Sequence, residues 1–179
     1  MRRAFGFLFI GVSVAVAAGS IMSEIGFLNK FPFYYYGVIW IASFVITFGI
    51  GFGKFRKVMH SIRYRMKNSI NWPAGAKAIN GICWAGPFIA IAAFPSYLQY
   101  LILLGIGLGN LSTYILMKKY SMLDNKEQLI VGVISLVSIL VAAGIDTSFL
   151  KTQQDVAIML SRILISISYA AGGIYALFA

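Results

Sequence analysis

The chain has 179 residues, 60% of them hydrophobic and 11% charged, with a formal net charge of +10. Soluble domains carry about 25% charged residues, and a soluble chain this apolar would expose large adhesive patches. The expectation is one α-helical membrane domain over residues 1–179, with no separate soluble domain. The cation surplus would suit nucleic acid in a soluble protein. Here the cations cluster at segment ends and in one loop, which points to anionic lipid and away from nucleic acid. A lone cysteine, Cys83, and a lone histidine, His60, exclude an internal disulfide and a cysteine–histidine metal framework.

In chain order, the first apolar run covers residues 4–22 behind Arg2 and Arg3. Ala15-Val16-Ala17 resembles a cleavage site, but the run is as long as a bilayer requires, so it is expected to be retained as a span. Residues 23–32 read as a short connection. The second run, 33–52, opens on Tyr34-Tyr35-Tyr36, the composition of an interfacial aromatic belt. It ends in Gly49-Ile50-Gly51-Phe52-Gly53, where three glycines weaken the helix.

Residues 54–70 follow. At about 100° per residue, Phe55, Val58, Met59, Ile62, Met66 and Ile70 share a sector of roughly 120°. Lys54, Arg56, Lys57, His60, Arg63, Arg65 and Lys67 fill the rest. Such a helix is expected in the membrane interface, apolar stripe down, with Arg56, Lys57, Arg63, Arg65 and Lys67 at the lipid headgroups. Asn71-Trp72-Pro73 ends it, with Trp72 at the interface.

No charge occurs from Ala78 to Met117. As one helix those forty residues would be about 60 Å long, twice a hydrocarbon core of about 30 Å. Two spans, 78–94 and 97–117, are therefore expected, with Pro95-Ser96 as the turn and a kink at Pro87. A fifth span is placed at 127–145, a polar connection at 146–155, and a sixth span at 156–178.

Six crossings put both termini on one side. That side then collects Arg2, Arg3, Lys54, Arg56, Lys57, Arg63, Arg65, Lys67, Lys77, Lys118, Lys119 and Lys126, against Lys30 and Lys151 opposite. Twelve cations against two predict cytoplasmic termini in a plasma or inner membrane.

Arg162 stands about seven residues into the last span, and a charge there is costly. With Asp155, Met159, Ser166, Tyr169 and Gly173 it forms a polar and small stripe. Arg162 either snorkels back toward Asp155 or contacts an anion, from a solute or a partner subunit. No acidic residue is expected deep in another span. Gly105-x-x-x-Gly109 marks a packing face on the fourth span; Asn110 there either bonds a neighbouring helix or lines a cavity. Asn80, Cys83, Trp84, Gly86 and Pro87 make a second cluster on a kinked span. His60 reads as a solvated surface residue. No hydroxyl has a histidine or deep carboxylate as base, so neither catalysis nor a cofactor or metal site is expected.

Two functions remain. The first is a non-catalytic subunit or scaffold of a membrane complex, bound to another membrane protein or to its own copies. The second is a small carrier or channel-like protein for a small or anionic solute. A carrier is expected to show a polar cavity near the midplane, bounded by spans three, four and six. A subunit is expected to bury its polar stripe and present a small-residue face. Contact candidates are Arg162, Ser166, Tyr169, Asn110 and Asn80.

Overall fold

An apolar segment in hydrocarbon must pair its own backbone N–H and C=O groups, and the apolar runs of this chain do so as helices. The structure is a computed structural model that describes residues 2–50, 58–60, 62–64, 67, 71–149 and 154–179. The long helices are α1 (Arg2–Leu28), α2 (Tyr34–Ile50), α3 (Ala74–Ala93), α4 (Leu98–Ser121), α5 (Lys126–Phe149) and α6 (Gln154–Phe178). Among the described residues there is no strand. Five of these helices, all but α2, are long and apolar enough to cross a membrane. α2 has 17 residues, a rise of about 26 Å, and residues 51–52 of the expected second span lie outside the described residues.

Between α3 and α4 the chain turns at Phe94 and a 3-10 turn over Pro95–Tyr97, so the long uncharged stretch does fold back on itself. α3 continues through Pro87. The helix ends differ from the expected ones in a consistent way. α1 runs to Leu28, not 22, and α5 covers Lys126–Phe149, not 127–145. Ser23, Glu24 and Asp146, read as loop residues, are therefore helical. Isolated polar residues do not end a helix whose buried face gives them neighbours.

Helices pack in the spatial order α2–α1–α6–α5–α4–α3, with a lesser contact between α4 and α6. Adjacent helices in this row are antiparallel, and glycines set how closely they approach. A Cβ on Gly132 of α5 would lie 3.0 Å from the Leu111 nitrogen and 3.1 Å from the Gly107 oxygen of α4. On Gly173 of α6 it would lie 2.9 Å from the Ile10 nitrogen of α1. Gly105 and Gly109 receive the rings of Phe88 and Trp84 from α3, as the packing-face expectation had it. Gly49, in contrast, meets nothing within 4 Å.

The core runs along α1, α4, α5 and α6 through Phe5, Phe9, Val16, Leu103, Ile106, Val131 and Tyr169. At the ends of the row, α2 has no buried residue and α3 buries only Ala76 and Pro87.

Of the expected surface helix, residues 58–60, 62–64 and 67 are described and helical. Its two faces separate as expected: His60, Arg63, Tyr64 and Lys67 are exposed. The apolar side, however, meets protein. Val58 is 2% exposed, and Ile62 packs on the bundle core. Trp72 also turns inward, against Ala76, Leu116 and Met117, and its Nε1 donates to Ser121 Oγ at 2.9 Å.

Candidate functional site: a charged aromatic cavity

The last turns of α1 and the first turns of α6 lie side by side, at the end of the bundle away from both termini. α1 closes with Lys30 in the left-handed region (φ 57°), and Phe31 N donates back to Gly26 O at 2.9 Å. This cap folds Phe31 back against Gly26 at the helix end, leaves Phe33 largely exposed, and directs the chain into α2. A cavity of about 470 Å³ results. α1 contributes Ser23, Glu24 and Phe27; the turn contributes Phe31 and Phe33; α2 contributes Tyr36 and Trp40; α6 contributes Ile158 and Arg162. Carboxylate and guanidinium thus stand in one aromatic chamber, and the Glu24 charge acts on Arg162. Ser23 is 3% exposed, and its hydroxyl has no hydrogen-bond partner.

Arg162 also borders a void of about 10 Å³ shared with Gln99 of α4. Behind it, Gln99 Nε2 donates to Asp146 Oδ2 at 2.7 Å, and the Tyr100 hydroxyl donates to the same oxygen. The other Asp146 oxygen is buried without a hydrogen-bond partner. One carboxyl group, Glu24 of α1, therefore shares the cavity of Arg162 and acts on its charge, correcting the expectation that the chain offers Arg162 no acidic partner, while Asp146 of α5 is engaged by Gln99 and Tyr100. The Tyr100 hydroxyl is thus held by a buried carboxyl group in the last turn of α5, a contact the sequence reading did not include. Asp155, the other proposed partner, has a side chain outside the described residues.

Elsewhere the stripe below Arg162 serves packing. Ser166 Oγ donates to Ser13 O at 2.8 Å and lies 3.0 Å from Ser13 Oγ. Tyr169 stacks edge-on against Phe9, with centroids 5.5 Å apart, and its hydroxyl meets the Asn110 side chain. Asn110, 2% exposed, also donates to its own helix at Ile106 O, 2.9 Å away. Asn80 accepts from Ser112 Oγ at 2.8 Å and Thr113 Oγ1 at 3.0 Å, while Trp84 Nε1 donates to Thr113 Oγ1 at 3.0 Å. The five contact candidates are thus not one site: Arg162 faces the cavity, Ser166 ties α6 to α1, Tyr169 and Asn110 tie α6 to α4, and Asn80 ties α3 to α4. Of the lipid-contact candidates, Arg63 and Lys67 are exposed; Arg56, Lys57 and Arg65 lie outside the described residues.

Sequence reasoning also passed over Glu127. It is fully buried in the first turn of α5, where a carboxylate complements the helix dipole. Among the described residues no three His, Cys, Asp or Glu side chains group as metal ligands. Compared with known proteins, the chain matches no family model, no curated protein and no solved structure.

Proposed function

We propose that the protein is a non-catalytic subunit of a membrane protein assembly, docking through α3 onto another membrane protein or a second copy of itself. The observation that carries this is the open face of α3. Ala74, Ala78, Gly81, Ala85 and Ala92 are all exposed, and they fall within roughly 60° of one another around the helix. Gly81 meets nothing within 4 Å. Such a stripe lets a second helix approach backbone to backbone. On α4 and α6, by contrast, small and polar residues are used inside the chain: Gly105, Gly107 and Gly109 by neighbouring helices, Ser166 by Ser13.

In this reading α2 completes six crossings, both termini are cytoplasmic, and the membrane is a plasma or inner membrane. The twelve-to-two cation asymmetry supports it. Segment 54–70 then faces the cytoplasm, and its cations hold anionic lipid. Cross-linking tests the docking. In a Cys83→Ser background, Gly81→Cys or Ala85→Cys should give one defined cross-linked species in native membranes, and Ile79→Cys, on the flank, should not. Equal cross-linking at 79 and 81 would refute docking through this face.

A second reading, a small carrier, is favoured by the charged cavity. That cavity is bounded by α1, α2 and α6, not by the third, fourth and sixth spans, and it lies toward one end of the bundle. Passage of solute through the chain would therefore need a further opening toward the termini.

A further inference from the structure

We propose that the cavity between α1, α2 and α6 binds a zwitterion, with the anionic group on Arg162 and Ser23 and the ammonium group beside Glu24 among the rings. Four observations converge. Opposite charges, Glu24 and Arg162, line one chamber of about 470 Å³, a volume within the usual range for small-molecule sites. The aromatic walls, including Phe31, Tyr36 and Trp40, offer π faces that attract an ammonium or quaternary ammonium group. Ser23 holds a buried hydroxyl without a partner on the same wall, a group that is costly to leave unbonded. Finally, α2 packs on α1 and makes no substantial contact with α6, so the chamber is not closed by helix packing on that side.

A ligand bearing one charge would satisfy only half of this site. A bare anion would leave Glu24 repelling it; a bare cation would meet Arg162. A molecule that carries both signs a few bonds apart pairs with each wall, and its apolar remainder rests on the rings. Two sources supply this chemistry: the headgroup of a zwitterionic phospholipid entering between α2 and α6, or a water-soluble zwitterion such as an amino acid or a betaine. The site is independent of docking through α3, because its test reads ligand binding and not assembly.

The test uses the purified full-length protein, delipidated in detergent, with the fluorescence of Trp40 in the cavity wall as readout and Trp40→Phe as the blank. One arm titrates phosphatidylethanolamine and phosphatidylcholine against phosphatidylglycerol of the same chains. The other titrates phenylalanine and glycine betaine against phenylpropionate. Saturable binding in either arm, at least tenfold tighter for the zwitterion than for its anion-only analogue, supports the proposal, and the arm that responds identifies the source. Glu24→Gln should weaken that binding at least tenfold and erase the preference over the anion. Arg162→Gln should weaken it too; if that variant does not fold, the selectivity of the unmodified protein decides the matter. No saturable binding in either arm, or equal affinity for zwitterion and anion, would overturn the proposal.

Discussion

Replacing Gly172 by alanine should push α5 and α6 apart. The new methyl would stand 2.5 Å from Val131 Cγ2 and 2.8 Å from the Glu127 carbonyl oxygen. Val131 is fully buried, so its methyl has no free space, and the carbonyl belongs to a helix backbone. Carbon atoms attract at about 3.5–4.0 Å, so relief requires the helices to separate by about 1 Å along this line. A gap of that size forfeits a quarter to a half of each dispersion contact it opens. Overpacking of this kind costs about 1–3 kcal/mol. Alanine also favours the helix over glycine by about 1 kcal/mol, which would obscure the loss in one variant alone. Gly144→Ala supplies the reference, since Gly144 on α5 meets nothing within 4 Å and gains the same propensity. The difference between the two variants isolates packing, at about 1–3 kcal/mol. Reversible unfolding in mixed lipid–detergent micelles measures it, and each 1.4 kcal/mol is about tenfold in the equilibrium constant. Equal stability of the two variants would refute the close α5–α6 approach.

Other outcomes follow from single contacts. In a Cys83→Ser background, Ser13→Cys with Ser166→Cys should oxidise to a disulfide, because the two hydroxyls lie 3.0 Å apart; a persistently free thiol pair on non-reducing gels would contradict the α1–α6 register. Asp146→Ala should destabilise the fold by about 1–3 kcal/mol by stranding Gln99 and Tyr100, with Asp146→Asn losing less; a neutral Asp146→Ala in the same unfolding assay would deny that network a structural part. Met122 caps α4 at φ 53° and is exposed, so Met122→Gly should raise stability by about 1 kcal/mol, and a loss there would contradict the left-handed cap. For segment 54–70, changing Arg63 and Lys67 to Gln should weaken peptide binding to anionic vesicles by about 2 kcal/mol; unchanged partitioning would point to a protein surface instead.

The helical class and the turn at Pro95 were legible because length and hydrophobicity alone demand them. So was the glycine face of α4, since small residues at a spacing of four leave little else for a membrane helix to do. The charged cavity was not legible, and the cause is specific. Reading each polar residue near a span end as loop removed Glu24 and Asp146 from the helices that carry them. A signal was present in the buried stripes. On α1, Ser13, Ser20 and Ser23, with Gly19 and Gly26, continue one small-residue face past residue 22. On α5, Ser135, Ser138, Ala142 and Asp146 repeat at helical spacing and all are buried. What no spacing revealed is the order of helices in the row, which decides that α1 lies beside α6 and brings Glu24 to Arg162. The inward turn of Val58 and Trp72 had the same origin: a stripe with an apolar side does not say whether lipid or protein will cover it.

Which end of the bundle holds the Glu24–Arg162 chamber relative to the membrane follows from the threading, and one labelling experiment reads the threading directly. With Cys83 replaced by Ser, Ser96→Cys places a single thiol in the turn between α3 and α4. Six crossings with cytoplasmic termini predict that a membrane-impermeant maleimide labels it in intact cells. Labelling that appears only after lysis would invert the bundle and contradict the account.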